Sequence, residues 1–233
     1  MSMLPPGQIP RPDFPRFGLT QYADRYPSRP RERSLSVKLP GADALLFADA
    51  LDGLPRTTLV ADFHCVTTWS RVGLRWGGVR FSDFVRLRVA PMEGFPDAFL
   101  GVILRAQDGY RTSLWRDDLM ADDVLLADEL DGEPLSIDHG APFRLIAPRQ
   151  YGYKSLKHLK TIEFCAQTPR IHKGMSAFLD HPTARVALEE RGRWFPGWLL
   201  RYVYRPFIPR TVARFRAGLA RYERSGSGAA PGD

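Results

Sequence analysis

Cysteine is nearly absent from the chain, which has only Cys65 and Cys165. Two cysteines cannot build a disulfide framework. Neither has a second cysteine at ligand spacing, so a multi-cysteine zinc site is excluded as well. Long apolar runs are also missing. The longest clean one is Ala98 to Leu104, far below the roughly 20 residues that a membrane-spanning helix needs. No charged head followed by an apolar core stands at the Met1 end, and no Arg-Arg pair. No secretory or twin-arginine signal is therefore read there, and the expected compartment is the cytoplasm. Acidic residues are the scarcer charge: 26 Asp+Glu against 33 Lys+Arg leave +7. What is present is ordinary for a folded chain. The 44% hydrophobic and 25% charged residues argue for one globular domain with appendages rather than general disorder.

Composition divides the chain into zones. Residues 1–40 hold eight of the twenty prolines. Proline lacks an amide donor, so this arm is expected to form neither long helices nor central strands. Phe14, Phe17 and Tyr22 give it apolar surface to bury, so it is expected to wrap the body. Residues 41–168 read as the catalytic body. Thr57 to His64, Phe99 to Arg105, Phe143 to Ala147 and Thr161 to Cys165 are β-prone. Val124 to Leu130, Asp131-Gly132 and Glu133 to Leu135 read as strand, tight turn and return. Ser82 is the expected N-cap of a short helix carrying Phe84, Val85 and Leu87. Residues 169–224 form a basic, aromatic extension. Val212, Phe215, Leu219 and Tyr222 make a helical stripe, and Trp194, Trp198 and Tyr202 are spaced four apart. From Arg191 to Arg224 nine arginines face one acid, Glu223, a balance of 9 − 1 = +8 that exceeds the charge of the whole chain. Residues 225–233 read as a disordered tail.

Two segments have the chemistry of a site. Cys65 lies where a β-prone run gives way to polar residues, a rigid mount opening into a loop. Its thiolate suits a soft metal ligand or a nucleophile activated by His64; the plain alternative is a buried cysteine acting as a small hydrophobe. From His139 to Ile162 there is no acid, while Arg144, Arg149, Lys154, Lys157 and Lys160 are cationic. Beside Gly152 and Ser155 this looks like an anion site, glycine letting amides approach and serine adding a hydroxyl donor. A solvated cationic face is the competing reading. Asp108 to Ser113 reads as an ordinary hairpin. His158, His172 and His181 lack ligand spacing and are expected at the surface or as caps.

Four blocks in this order resemble the molybdopterin-binding domain of the sulfite oxidase family: His64-Cys65-Val66-Thr67-Thr68-Trp69-Ser70 with Trp76-Gly77-Gly78-Val79, then Leu126 to Leu135, then His139 to Arg149, and finally Tyr151 to Lys157. The resemblance covers about residues 10–168. It implies an α+β, mixed β-rich fold with short helices, here followed by a helical C-terminal extension. It also implies a molybdenum–molybdopterin cofactor with Cys65 as the protein's metal ligand and catalytic residue. By position His139, Arg144, Ser155, Lys157 and the backbone of Leu156 become cofactor contacts. Arg16 and Phe17, in Phe14-Pro15-Arg16-Phe17-Gly18, match an N-terminal contact. His64 is expected to support the thiolate, and Lys154 to offset cofactor charge. The residues after Cys65 are closer to the bacterial branch that includes the methionine sulfoxide reductase catalytic subunit than to animal and plant sulfite oxidases. The implied activity is two-electron oxygen-atom transfer on a small, sulfur-containing substrate. No haem pattern is seen, so electrons are expected to pass to or from a separate redox partner protein.

The basic extension at 191–224 has two readings, a docking surface for an anionic membrane or acidic partner, and a helical cap with its arginines facing water. The rival for the whole chain is a non-catalytic anion or nucleic-acid binder using the same cations. It does not account for the joint occurrence of the cysteine, Trp-Gly-Gly and His-Gly-Ala-Pro blocks, so no nucleic-acid partner is expected.

Overall fold

The computed structural model describes residues 4–28, 30–96, 98–169, 171 and 180–225. The tail beyond Ser225 and His172 lie outside these. Eleven strands among the described residues form two sheets. The first holds β1 (Ile9–Pro10), β4 (Arg56–His64), β5 (Trp69–Arg80), β8 (Leu125–Leu130), β9 (Glu133–Pro134) and β10 (Arg144–Ile146). β5 is its spine, antiparallel to β4 and β8 and parallel to the short β1. The second runs β3 (Ala44–Phe47), β2 (Leu35–Lys38), β11 (Leu159–Cys165), β6 (Gly101–Ala106), β7 (Arg111–Trp115). Within it β2 and β11 are parallel and the other pairs antiparallel. The helices are short in the body, α1 (Phe81–Phe84) and α2 (Arg116–Leu119), and longer in the extension, α3 (Gly197–Tyr204) and α4 (Ile208–Arg224). This is the α+β, mixed β-rich architecture expected.

The main core draws Leu35 and Val37 from β2, Val102 and Leu104 from β6, Ile162 and Phe164 from β11, and Val79 and Leu126 from the first sheet, with Phe81 and Phe84 of α1 among them. A second cluster, Leu74, Trp76, Leu125, Ala127 and Ile146, receives Phe14 and Phe63. Aromatic residues of the arm pack on the body: Phe14 lies edge-on to Phe63 (5.0 Å) and Trp76 (6.0 Å), and Phe17 to Trp69 (5.6 Å).

Two expectations are corrected. The arm does supply a central strand. No proline falls between Pro30 and Pro40, and Leu35-Ser36-Val37-Lys38 alternates freely, so β2 pairs with both β3 and β11. Ser82 is not an N-cap, because the helix begins one residue earlier. Its start is fixed by the Phe81 amide donating to Val124 O at 2.9 Å, a continuation of strand pairing rather than a side-chain cap. The tight turn is as expected, with Asp131 at φ 54° and Gly132 at φ 93° in the left-handed region that such hairpins require.

Candidate active site

β4 ends at His64, and Cys65 opens the loop to β5. The loop is closed by Cys65 N donating to Trp69 O (2.8 Å) and Thr68 N donating to Cys65 O (3.1 Å). Thr68 sits at φ 88°, a conformation a β-branched residue rarely adopts and one that surrounding bonds must hold. Gln8 of the arm supplies one such bond, its Nε2 donating to Cys65 O at 3.1 Å. Cys65 is 7% exposed, with its sulfur 3.1 Å from the Thr67 hydroxyl. Burial pushes its pKa up, while the Thr67 bond and the charges of Arg191 and Lys157 pull the other way. His64 turns from the sulfur: its Nδ1 pairs with Ser70 Oγ at 2.7 Å. Burial lowers its pKa, and the thiol's hydrogen-bond partner is the Thr67 hydroxyl rather than the His64 ring.

The acid-free segment folds back onto this loop. The Gly152 amide donates to His64 O at 2.8 Å, joining the two blocks. Glycine is required there because any Cβ would enter the Phe63 ring. The amide is therefore committed to the strand end rather than to an anion. Arg144 is fully buried between the Phe63 and Trp76 rings and donates to His139 O and Ser155 O, each at 2.9 Å. Burial lowers its pKa to about 9, so it stays charged at neutral pH. Lys157 donates to Asp138 O at 2.5 Å. Burial, then repulsion from Arg144 and Arg16, drives its pKa well below the usual value, with Asp138 opposing. His139 stacks on Phe14 at 4.8 Å, and burial with the two nearby cations holds it near a pKa of about 3.

Several predicted contacts are otherwise engaged. Lys154 is buried, and its Nζ donates to Ser113 O and pairs with Asp180 Oδ1, both at 3.0 Å, so its charge is met within the protein. The Leu156 amide donates to Lys154 O and its carbonyl accepts from Leu145 N, each at 2.9 Å. Arg16 donates to the carbonyls of Ala23, Tyr22 and Arg25 and tethers the arm. The Ser155 hydroxyl accepts from Ala147 N at 3.1 Å and keeps its own proton to donate.

Sequence reasoning missed three residues. His158, expected at the surface, is buried with Nδ1 on Ala141 O (2.8 Å) and Nε2 without a protein partner. Gln150 is buried with both amide atoms unpartnered, and with His64 it lines a cleft of about 500 Å3. Cys65 itself is not part of that cleft's lining. Arg191, from the extension, is fully buried: it donates to Val66 O (2.5 Å), beside the cysteine, and to Pro6 O (3.2 Å), and pairs with Glu189 (3.2 Å). Nothing in its arginine-rich surroundings marks it out in the sequence.

The donor set fits an anionic pterin cofactor. Arg144 and Lys157 have no carboxylate hydrogen bond among the described residues, and an anion between them would relieve their repulsion. His139 Nδ1, His158 Nε2, Trp69 Nε1 and the Gln150 amide are buried polar atoms awaiting partners. Among the described residues no group of three His, Cys, Asp or Glu could hold a metal ion. Fold and site together describe a mixed β-rich domain in which a buried cysteine loop lies against a segment carrying buried cations and unpartnered polar atoms.

The model of the oxidoreductase molybdopterin-binding domain matches residues 27–172, and the chain belongs to that family, a sulfite oxidase-like class of molybdopterin-dependent oxidoreductases. It is 40% identical over 120 residues to the uncharacterized oxidoreductase YuiH of Bacillus subtilis, covering 52% of this chain and 58% of the relative. It is 32% identical over 149 residues to the protein-methionine-sulfoxide reductase catalytic subunit MsrP of Xanthomonas campestris, covering 58% and 46%. The chain thus spans about half the length of the curated relatives it matches. The crystal structure of the sulfane dehydrogenase SoxCD from Paracoccus pantotrophus superposes with a TM-score of 0.50 at 22% identity, over 59% of this chain and 39% of that one, a likeness of fold.

Proposed function

We propose that the chain catalyses two-electron oxygen-atom transfer on a small sulfur-containing substrate, exchanging electrons with a separate redox protein, in the cytoplasm. The observation that carries this reading is a loop-mounted thiol on which the charge of Lys157 acts, with Lys157 and Arg144 hydrogen-bonded to backbone carbonyls and to no carboxylate among the described residues. The bound molybdenum–pterin would supply the redox chemistry. The protein's part is to hold and orient. Cys65 would ligate the metal, with the Thr67 hydroxyl hydrogen-bonded at its sulfur. Arg144 and Lys157 would offset cofactor charge. His139, His158 and Gln150 would satisfy polar edges with atoms that have no other partner.

The sulfur substrate is supported by the likeness to a protein-methionine-sulfoxide reductase catalytic subunit. In that direction a sulfoxide takes two electrons and two protons and leaves as thioether and water. The test is anaerobic turnover of the purified holoenzyme with reduced viologen and methionine sulfoxide, beside ferricyanide and sulfite. Viologen oxidation with the sulfoxide and no reaction with sulfite is expected. Molybdenum-loaded protein that turns over neither, or sulfite alone, contradicts the proposal. The non-catalytic binder is not favoured, because many of its supposed anion-binding arginines are paired: Arg201 with Glu189, Arg214 and Arg221 with Asp24, Arg216 with Asp13.

A further inference from the structure

The extension turns its most apolar helix outward. α3 buries only Leu200. At 100° per residue, Trp198 and Tyr202 lie within about 20° of the side opposite it, and Leu199 and Val203 continue that stripe around one flank. There Trp198 is 58% exposed, Tyr202 67% and Val203 50%, with Leu199 beside them and Phe207 exposed in the following turn. A contiguous patch of this kind marks an interaction site more often than idle surface. The charges beside it are mostly positive, Glu189 being spent on Arg201 and Arg191. Arg193, Arg205 and Arg210 are exposed, Arg201 is taken by Glu189, and no acid lies between Arg191 and Tyr222.

We propose that α3 docks on an anionic lipid surface. Tryptophan and tyrosine have apolar bodies with polar edges and settle at the headgroup level, while flanking arginines meet lipid phosphates. A second copy of this chain is the poorer occupant, because a two-fold contact through α3 would bring both sets of arginines together. No described helix is long and apolar enough to cross a membrane, so the contact is peripheral.

The docking helix is tied to the cysteine loop. Arg201 and Arg191 share Glu189, Arg191 reaches Val66 O, and Arg205 Nε lies 3.4 Å from the Thr68 hydroxyl. Docking would therefore hold the loop side of the molecule toward the membrane. The consequence that an electron partner meets the enzyme there rests on the redox reading; docking itself does not.

The experiment is co-sedimentation of the full-length protein with vesicles of phosphatidylcholine alone or with added phosphatidylglycerol, using wild type and the double variant Trp198→Ser/Tyr202→Ser. Truncation at residue 190 is unsuitable because it removes the buried Arg191. Wild type should partition onto anionic vesicles about tenfold more strongly than onto neutral ones, with the double variant and high salt each reducing this. Absent binding, equal binding to both vesicles, or a double variant that binds like wild type would overturn the proposal. So would a dimer in sedimentation velocity that the double variant abolishes. Both side chains are exposed, so the variant's melting temperature and molybdenum content should match wild type. Molybdenum-free protein that still binds anionic vesicles would sink the redox reading alone.

Discussion

Cys65 and Arg191 divide the work at the residue scale. The sulfur is the candidate ligand, and the guanidinium, more than a hundred positions later in the chain, holds the carbonyl of the next residue in the cysteine loop. Arg191 also lies over the Tyr151 ring at 4.9 Å and grips Pro6 of the arm. Replacing it with methionine leaves Val66 O and Pro6 O without this donor, while Glu189 keeps Arg201. The expected cost is roughly 2–4 kcal/mol, in the range for breaking buried charged hydrogen bonds. Urea unfolding of the full chain measures it. A loss under about 0.5 kcal/mol, the size of a typical surface substitution, would show that Arg191 is not holding the loop.

At the scale of elements, α4 docks on the arm through Asp24, which accepts from Arg214 and Arg221, and through Tyr26 stacked on Tyr222 at 4.2 Å. The two arginine hydrogen bonds hold the Asp24 carboxyl down to about 2, against 3.8 ordinarily. Because the folded value is depressed, this stabilisation is complete above the unfolded pKa and is lost as pH falls through about 2. The melting temperature of wild type should exceed that of Asp24→Asn at neutral pH, with the gap closing in acid. A gap independent of pH would assign it to packing instead. Strands whose residues alternate or run apolar between turn signals, such as β4, β8 and β11, were legible in the sequence. β5 was not, because its glycines and arginines interrupt the alternation, and pairing with β4, β8 and β1 holds it extended. The sequence singles out Cys65, Arg144 and Lys157 by their unusual chemistry, and His139 through the family resemblance. It was illegible where an ordinary residue acquires its role from long-range contacts. Arg191 looks like eight neighbouring arginines, Gln150 like any polar loop residue, and Lys154 like a free cation until Asp180 is seen beside it.

On the scale of the whole molecule, two sheets, a wrapping arm and a basic extension converge on one loop. The first sheet mounts the thiol, the 139–158 segment brings buried cations and unpartnered polar atoms to it, and the extension clamps it from outside. Such a centre should depend on the sulfur for its metal and on the surrounding cations for the rest of the cofactor. The most direct measurement is molybdenum per chain, by elemental analysis, in wild type and Cys65→Ser purified from molybdate-fed cells. About one metal per wild-type chain is expected, with sharply reduced metal and no activity in the variant although pterin remains partly bound. Wild-type protein that carries no molybdenum, or a Cys65→Ser protein that keeps both full metal and full activity, would contradict the assignment.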